Sequence, residues 1–178
     1  MRSQYHSAHY HQNHSAYYQQ PRRMSAALFA ELTKPFHQKI LAEAKAALNL
    51  GQNEMAVVLA QTASEQCTEW AMATCFDSRG CKDLTGPICD LVRPLDICND
   101  RVRHLYSVLT GDSPKKKPFW KQLEAHAKRR HDVVHRGVKV SGEQANESVA
   151  TVEQYVLYAE GAVASAQNKA ATKSRSAC

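Results

Sequence analysis

The chain has 178 residues, of which 43% are hydrophobic and 22% charged, and it contains few glycines and prolines. This length and composition favour one folded, helix-rich domain over a disordered chain. No apolar run is long enough to span a membrane, and the N-terminus has no apolar segment typical of a secretory signal. We therefore expect a cytoplasmic protein that does not contact the membrane.

The net charge of +6 is unevenly distributed along the chain. Residues 113–139 hold nine Lys or Arg against two acidic residues, which is a local excess of +7. Residues 1–23 add three arginines, so the rest of the chain is acidic overall. A local basic segment predicts an anionic partner, with nucleic acid or a nucleotide as the first choice. The alternative is a solvated basic helix face that only aids solubility.

Residues 1–23 are rich in His, Tyr, Gln and Ser and nearly lack aliphatic side chains. Such a segment buries too little apolar surface to offset its ordering entropy, so we predict a disordered tail. We expect a single helical domain over residues 24–170 and a frayed C-terminus over residues 171–178. The tail histidines could bind a metal, but a flexible segment is poorly preorganised for one.

Apolar residues recur at helical spacing in successive segments of the chain. This spacing predicts helices that run from Phe36 to a stop at Gly51, over residues 53–75, over residues 88–109 with a kink or split at Pro94, over residues 117–137, and from residue 142 to about residue 170. Ser141 and Gln144 have the spacing of a capping box. No strand alternation occurs. The sequence therefore predicts an all-α fold, most simply an up-and-down bundle of four to five helices.

Six cysteines are present, but none forms the C-x-x-C pair that is typical of zinc sites. We interpret them as reduced thiols, most of them buried in a helical core. Neither a structural metal nor a cofactor is expected.

The chemistry-bearing stretch is residues 128–137, which reads Lys-Arg-Arg-His-Asp-Val-Val-His-Arg-Gly. Histidine exchanges protons at neutral pH, and arginine holds phosphate oxygens and stabilises charge in a transition state. RNA supplies its own nucleophile, the 2′-OH. Arg130, His131 and His135 could therefore cleave RNA without a metal, leaving a 2′,3′-cyclic phosphate and a 5′-hydroxyl.

Helical geometry limits how these side chains can meet. His131 and His135 are four residues apart and share a helix face. Arg130 lies about 140° around the helix from His135. Arg130 and His135 could converge if the helix is distorted near Gly137, or if two chains meet and each supplies one group.

The stretch from Arg130 to Gly137 resembles the R-x4-6-H signature of the HEPN superfamily, in which a polar residue follows the arginine. The resemblance extends over residues 36–165 through the order of the helices. It implies a metal-independent endoribonuclease that is a homodimer with a composite active site. Arg130 would match the motif arginine, His131 the polar residue after it, and His135 the motif histidine.

Members of that superfamily include toxins and phage-defence effectors, which implies RNA as substrate and an antitoxin or regulatory protein as a further partner. Other members do not cleave RNA. The alternative is therefore a non-catalytic helical module that binds RNA, nucleotide or protein and acts as a dimerisation scaffold.

Several basic residues are predicted to hold the RNA backbone, because phosphate contacts position a strand without reading its sequence. They are Lys115, Lys116, Lys117, Lys121, Lys128, Arg129 and Arg136. Phe119 and Trp120 could stack on bases or anchor the helix in the core. Glu65 or Glu69 could complete the site, and the sequence does not select between them.

Overall fold

The computed structural model describes residues 33–175, which form six α-helices and no strand. The helices are α1 (Phe36–Asn49), α2 (Asn53–Asp77), α3 (Thr85–Val92), α4 (Asp100–Thr110), α5 (Trp120–Arg136) and α6 (Gly142–Arg175). The predicted all-α fold is confirmed. The tail predicted over residues 1–23 lies outside the described residues. Within the described range, no helix is long and apolar enough to cross a membrane.

The helix count exceeds the predicted four to five because residues 88–109 form parts of two helices. Arg93 adopts an extended conformation before Pro94, as residues preceding proline usually do, and this ends α3. Asn99 then starts α4, where its side chain accepts a hydrogen bond from the backbone N–H of Arg101 at 2.9 Å. α3 also begins at Thr85, before the start at residue 88 that the apolar spacing predicts. At the other end of the chain, α6 continues to Arg175, past the predicted end near residue 170.

Helix α2 is at the centre of the bundle and packs against α1, α4, α5 and α6. Its small residues Ala56, Ala60 and Ala63 are fully buried, so neighbouring helices can approach its backbone closely. A buried hydrogen bond of 2.7 Å joins the hydroxyls of Thr68 on α2 and Tyr155 on α6. α2 and α6 therefore form the rigid frame against which α5 is placed.

The start of α5 is anchored in the core. Phe119 and Trp120 are 9% and 5% exposed, and Phe119 packs against the rings of Tyr155 and Tyr158 on α6. Of the two interpretations of these aromatic residues, the structure supports the core anchors, because rings this buried cannot stack on a nucleic acid base.

The end of α5 is fixed by the short segment that links it to α6. In this link, the side chain of Asn53 donates to the carbonyl of Val140 at 3.1 Å, and the N–H of Val140 donates to the carboxylate of Glu54 at 3.2 Å. The predicted capping box is confirmed, since Ser141 and Gln144 exchange hydrogen bonds of 3.1 and 3.2 Å. The C-terminal turn of α5 is thus held in place from α2 and from the start of α6.

Candidate functional site

Helix α5 carries every residue of the predicted catalytic group and remains helical through Arg136. It ends at Gly137, whose positive φ of 63° is a left-handed conformation that glycine adopts without strain. The helix-end distortion that would bring Arg130 and His135 together in one chain is therefore not present. The two side chains leave the helix about 140° apart.

The outer side of α5 presents an exposed stripe of polar residues. Lys121, Glu124, Lys128, His131 and His135 follow one another at alternating spacings of three and four, and all five are exposed. The rings of His131 and His135 lie 4.6 Å apart between centroids and are tilted by 45°. The structure thus brings these two imidazoles together, as their spacing predicts, and leaves them open to solvent.

The inner side of α5 carries a third histidine that the sequence analysis did not select. His126 is fully buried, and neither of its ring nitrogens has a hydrogen-bond partner within the described residues. Burial, together with the positive charges of Arg129 and Arg130, lowers the pKa of His126 to about 4. His126 is therefore neutral at physiological pH. In the sequence, His126 lies three residues after Leu123 and four before Arg130. This spacing indicates that its side chain shares the inner face of the helix.

Two adjacent arginines of α5 have opposite environments. The guanidinium of Arg129 donates to Ser148 Oγ at 2.5 Å and to Glu147 Oε2 at 2.7 Å, which joins α5 to α6. Arg130 is partly buried, and its Nε is fully buried without a hydrogen-bond partner in the part of the chain described. No ion pair or hydrogen bond from described residues satisfies its guanidinium. Arg130 thus has a buried Nε and no counter-ion among the described residues, a state that favours binding of an anion.

The other predicted RNA-binding residues divide into paired and unpaired cations. Lys117 contacts Asp112 at 2.8 Å and lies over the ring of Tyr158, and Arg136 pairs with Asp132 at 3.0 Å. Four further lysines are exposed and form no ion pair with described residues, namely Lys115, Lys116, Lys121 and Lys128. The unpaired group is available to phosphates, whereas Arg129 and Lys117 are already engaged in holding the fold.

Neither candidate acid joins Arg130 or His135 through a hydrogen bond or an ion pair. Glu65 accepts a hydrogen bond from Gln61 at 2.8 Å, and Glu69 pairs with Arg93 at 3.3 Å. Both carboxylates therefore have structural partners near or on α2.

An apolar side chain separates the two predicted catalytic groups. Val134 lies between Arg130 and His135 around the circumference of α5, and it is 47% exposed. Ala127 and His131 lie on the same side of the helix, about two turns and about one turn before Val134, respectively. A surface that covers this strip would contact Arg130 at one edge and His135 at the other.

No protein-family model matches the chain, and neither curated proteins nor solved structures gave a match. The chemistry of its own residues is therefore the basis for a functional proposal.

Proposed function

We propose that the protein is a metal-independent endoribonuclease that acts as a homodimer, with Arg130, His135 and His131 as the reacting group. The observation that carries this proposal is the state of Arg130. A partly buried guanidinium that has no partner among the described residues lies on the same two helical turns as two exposed imidazoles 4.6 Å apart. Metal-independent attack of the 2′-OH on the phosphodiester can use these three groups as one fixed positive charge and two proton-transfer groups.

The reaction follows from the chemistry of RNA and of these side chains. A neutral imidazole takes the proton from the 2′-OH, and the 2′ oxygen attacks the adjacent phosphorus. The bond from phosphorus to the 5′ oxygen breaks, and an imidazolium returns a proton to that leaving oxygen. Arg130 stabilises the negative charge that builds on the non-bridging oxygens. The products are a 2′,3′-cyclic phosphate and a 5′-hydroxyl.

A second copy of the chain is part of the proposal because Arg130 and His135 diverge on one helix. The strip of Ala127, His131 and Val134 lies between them, and its exposed apolar Val134 suits burial against another protein surface. If two copies meet across this strip, Arg130 of one chain faces His135 of the other. A two-fold interface forms two such pairs.

The RNA strand would follow the outer stripe of α5. Lys121 and Lys128 lead along this stripe to His135, and Lys115 and Lys116 lie in the turn just before the helix. The resemblance to HEPN domains suggests that the protein is a toxin or phage-defence effector, controlled by an antitoxin or another regulatory protein.

One observation favours a second candidate function. Because a single chain does not assemble Arg130 with His135, a protein that never dimerises through α5 would bind RNA or a nucleotide without cleaving it. Such a module would show binding that weakens with salt and no turnover.

Incubation of the purified full chain with total RNA in EDTA, followed by end-group analysis, tests the proposal. We expect cyclic phosphate ends from the wild type and from His104→Ala, a matched control that removes an exposed histidine of α4. His135→Ala should lower the cleavage rate by about 100- to 10,000-fold while leaving the helical content unchanged. Equal cleavage by His135→Ala, or no cleavage by the wild type unless a divalent metal is added, would refute the mechanism.

A further inference from the structure

His131 and His135 form the geometry of a two-ligand metal chelate. They are separated by one helical turn, both rings are exposed, and their centroids are 4.6 Å apart. Two histidines at this spacing on one helix face are a recurrent zinc-binding arrangement. With Zn–N bonds of about 2.0–2.1 Å, a tetrahedral ion needs ligand nitrogens about 3.4 Å apart. Rings at the observed separation reach this distance by side-chain rotation alone.

We propose that His131 and His135 bind a divalent transition metal ion, with Zn²⁺ as the representative, and that the bound ion blocks the candidate active site. This site differs from the structural and catalytic zinc sites of proteins, because the chain supplies two ligands rather than three or four. Among the described residues, no group of three or more His, Cys, Asp or Glu side chains lies within reach of one ion. The remaining coordination positions are left to water.

The charged residues near His131 and His135 determine which class of metal ion this site favours. Lys128 lies on the same stripe, and the guanidinium of Arg136 pairs with Asp132, so no carboxylate on this turn is unengaged. Such surroundings disfavour Mg²⁺ and Ca²⁺, which need oxygen ligands. Zn²⁺ binds imidazole through coordinate bonds that neighbouring cations weaken but do not prevent. The site is therefore expected to select transition metals over the alkaline earths.

The inhibitory effect rests on the proposed function. A ring nitrogen that donates its lone pair to Zn²⁺ cannot accept a proton from the 2′-OH of RNA. Zn²⁺ should consequently lower RNA cleavage, and EDTA should restore it. This is the opposite of the response of a metal-dependent nuclease, whose activity a chelator abolishes.

Competition for Zn²⁺ against a chromogenic chelator tests the binding without reference to activity. The full chain is used with His6, His9, His11 and His14 replaced by Asn in every sample, so that the tail histidines do not contribute. We compare this background with the same background carrying His131→Ala, His135→Ala or His104→Ala. Loss of either proposed ligand should weaken Zn²⁺ binding at least about tenfold, since even outer-shell changes cost about 10- to 100-fold. His104→Ala should leave it unchanged.

Cleavage of RNA by the same background, with Zn²⁺ and then with excess EDTA, separates the two proposals. Zn²⁺ binding that depends on both histidines, in a protein that never cleaves RNA, supports the metal site and overturns the nuclease. Cleavage that Zn²⁺ does not lower overturns the inhibitory site and leaves the nuclease intact. Zn²⁺ binding that is equal in His131→Ala, His135→Ala and the background overturns the metal site whatever the activity.

Discussion

The two sides of helix α5 carry the same residue types in opposite states. On the side facing α6, Arg129 is held by Ser148 and Glu147, and on the inner face His126 is buried and uncharged. On the outer side, His131 and His135 are exposed and close together. Arg130 lies at the boundary, with a buried Nε that has no partner among described residues.

Residue type alone therefore does not identify a site on a basic helix. An arginine whose hydrogen bonds are satisfied within the fold contributes stability, because a ligand would have to displace its partners. An arginine with a buried nitrogen that lacks a partner gains more from an incoming phosphate, because no existing contact has to be displaced. The inner side of α5 is therefore expected to govern stability, and the outer side, with Arg130, to govern activity.

Among the variants of the arginines and lysines, replacing Arg130 should produce the largest effect. In the proposed mechanism, Arg130→Ala removes the positive charge that stabilises the transition state, so we expect cleavage to fall by about 100- to 1,000-fold. Its melting temperature should stay close to that of the wild type, because no hydrogen bond to a described residue is lost. Single-turnover cleavage and thermal melting of the same preparation are the two measurements. Arg130→Ala that melts early and cleaves normally would reverse the assignment of the two sides.

His126 should make stability depend on pH. Its pKa is about 4 in the folded chain, below the ordinary value of about 6.5, so between these pH values the unfolded chain binds a proton that the folded chain excludes. The free energy of unfolding should thus fall by about 3 kcal/mol from this group as the pH drops from 6.5 to 4. His126→Phe should remove this part of the fall. Urea unfolding at several pH values measures this dependence, and His104→Ala, which removes an exposed histidine, is the control. If the unfolding free energy of His126→Phe falls with pH as steeply as that of the wild type, the burial of an uncharged ring is contradicted.

Replacing Arg129 should lower the stability of the fold and leave the rate of RNA cleavage nearly unchanged. Arg129→Ala leaves the buried hydroxyl of Ser148 without its donor, which costs about 1–3 kcal/mol of unfolding free energy. Urea unfolding at pH 7 measures the loss. Below its unfolding transition, the variant should cleave RNA at a rate near that of the wild type. A loss of activity without a loss of stability would place Arg129 with the functional residues.

The smallest effect should come from the outer lysines. Lys121→Gln with Lys128→Gln removes two expected phosphate contacts, so the slope of log affinity against log salt should decrease by about 1.4 for single-stranded RNA. Lys117→Gln is the matched control, since Lys117 is engaged by Asp112 and should leave the slope unchanged. Fluorescence anisotropy with a labelled, uncleavable oligonucleotide measures both. Equal slopes in the double variant and the wild type would show that the RNA does not follow the outer stripe of α5.

The sequence predicts most of the fold because helix periodicity and end signals are local. The stop at Gly51, the split near Pro94 and the capping box of Ser141 and Gln144 all depend on neighbouring residues, and all are present. The closeness of His131 and His135 follows from spacing in the same way.

The states of the cations depend on contacts between distant segments, which spacing does not contain. Spacing groups Arg129 and Lys117 with the other basic residues, but Arg129 reaches α6 and Lys117 lies over Tyr158. The buried state of His126 likewise results from packing. Spacing gives the direction of a side chain around its helix, whereas its partner is determined by the tertiary fold.

In the proposed dimer, Arg130 and His135 act together from two chains, and mixing two inactive variants tests this arrangement. Arg130→Ala and His135→Ala are co-expressed with different tags, and the mixed dimer is purified through both. Without that selection, cleavage should recover to about a quarter of the wild-type rate, because about half of randomly paired dimers are mixed and each mixed dimer holds one intact pair. The purified mixed dimer should recover about half. A mixed dimer as inactive as either parent would contradict an active site shared between two chains.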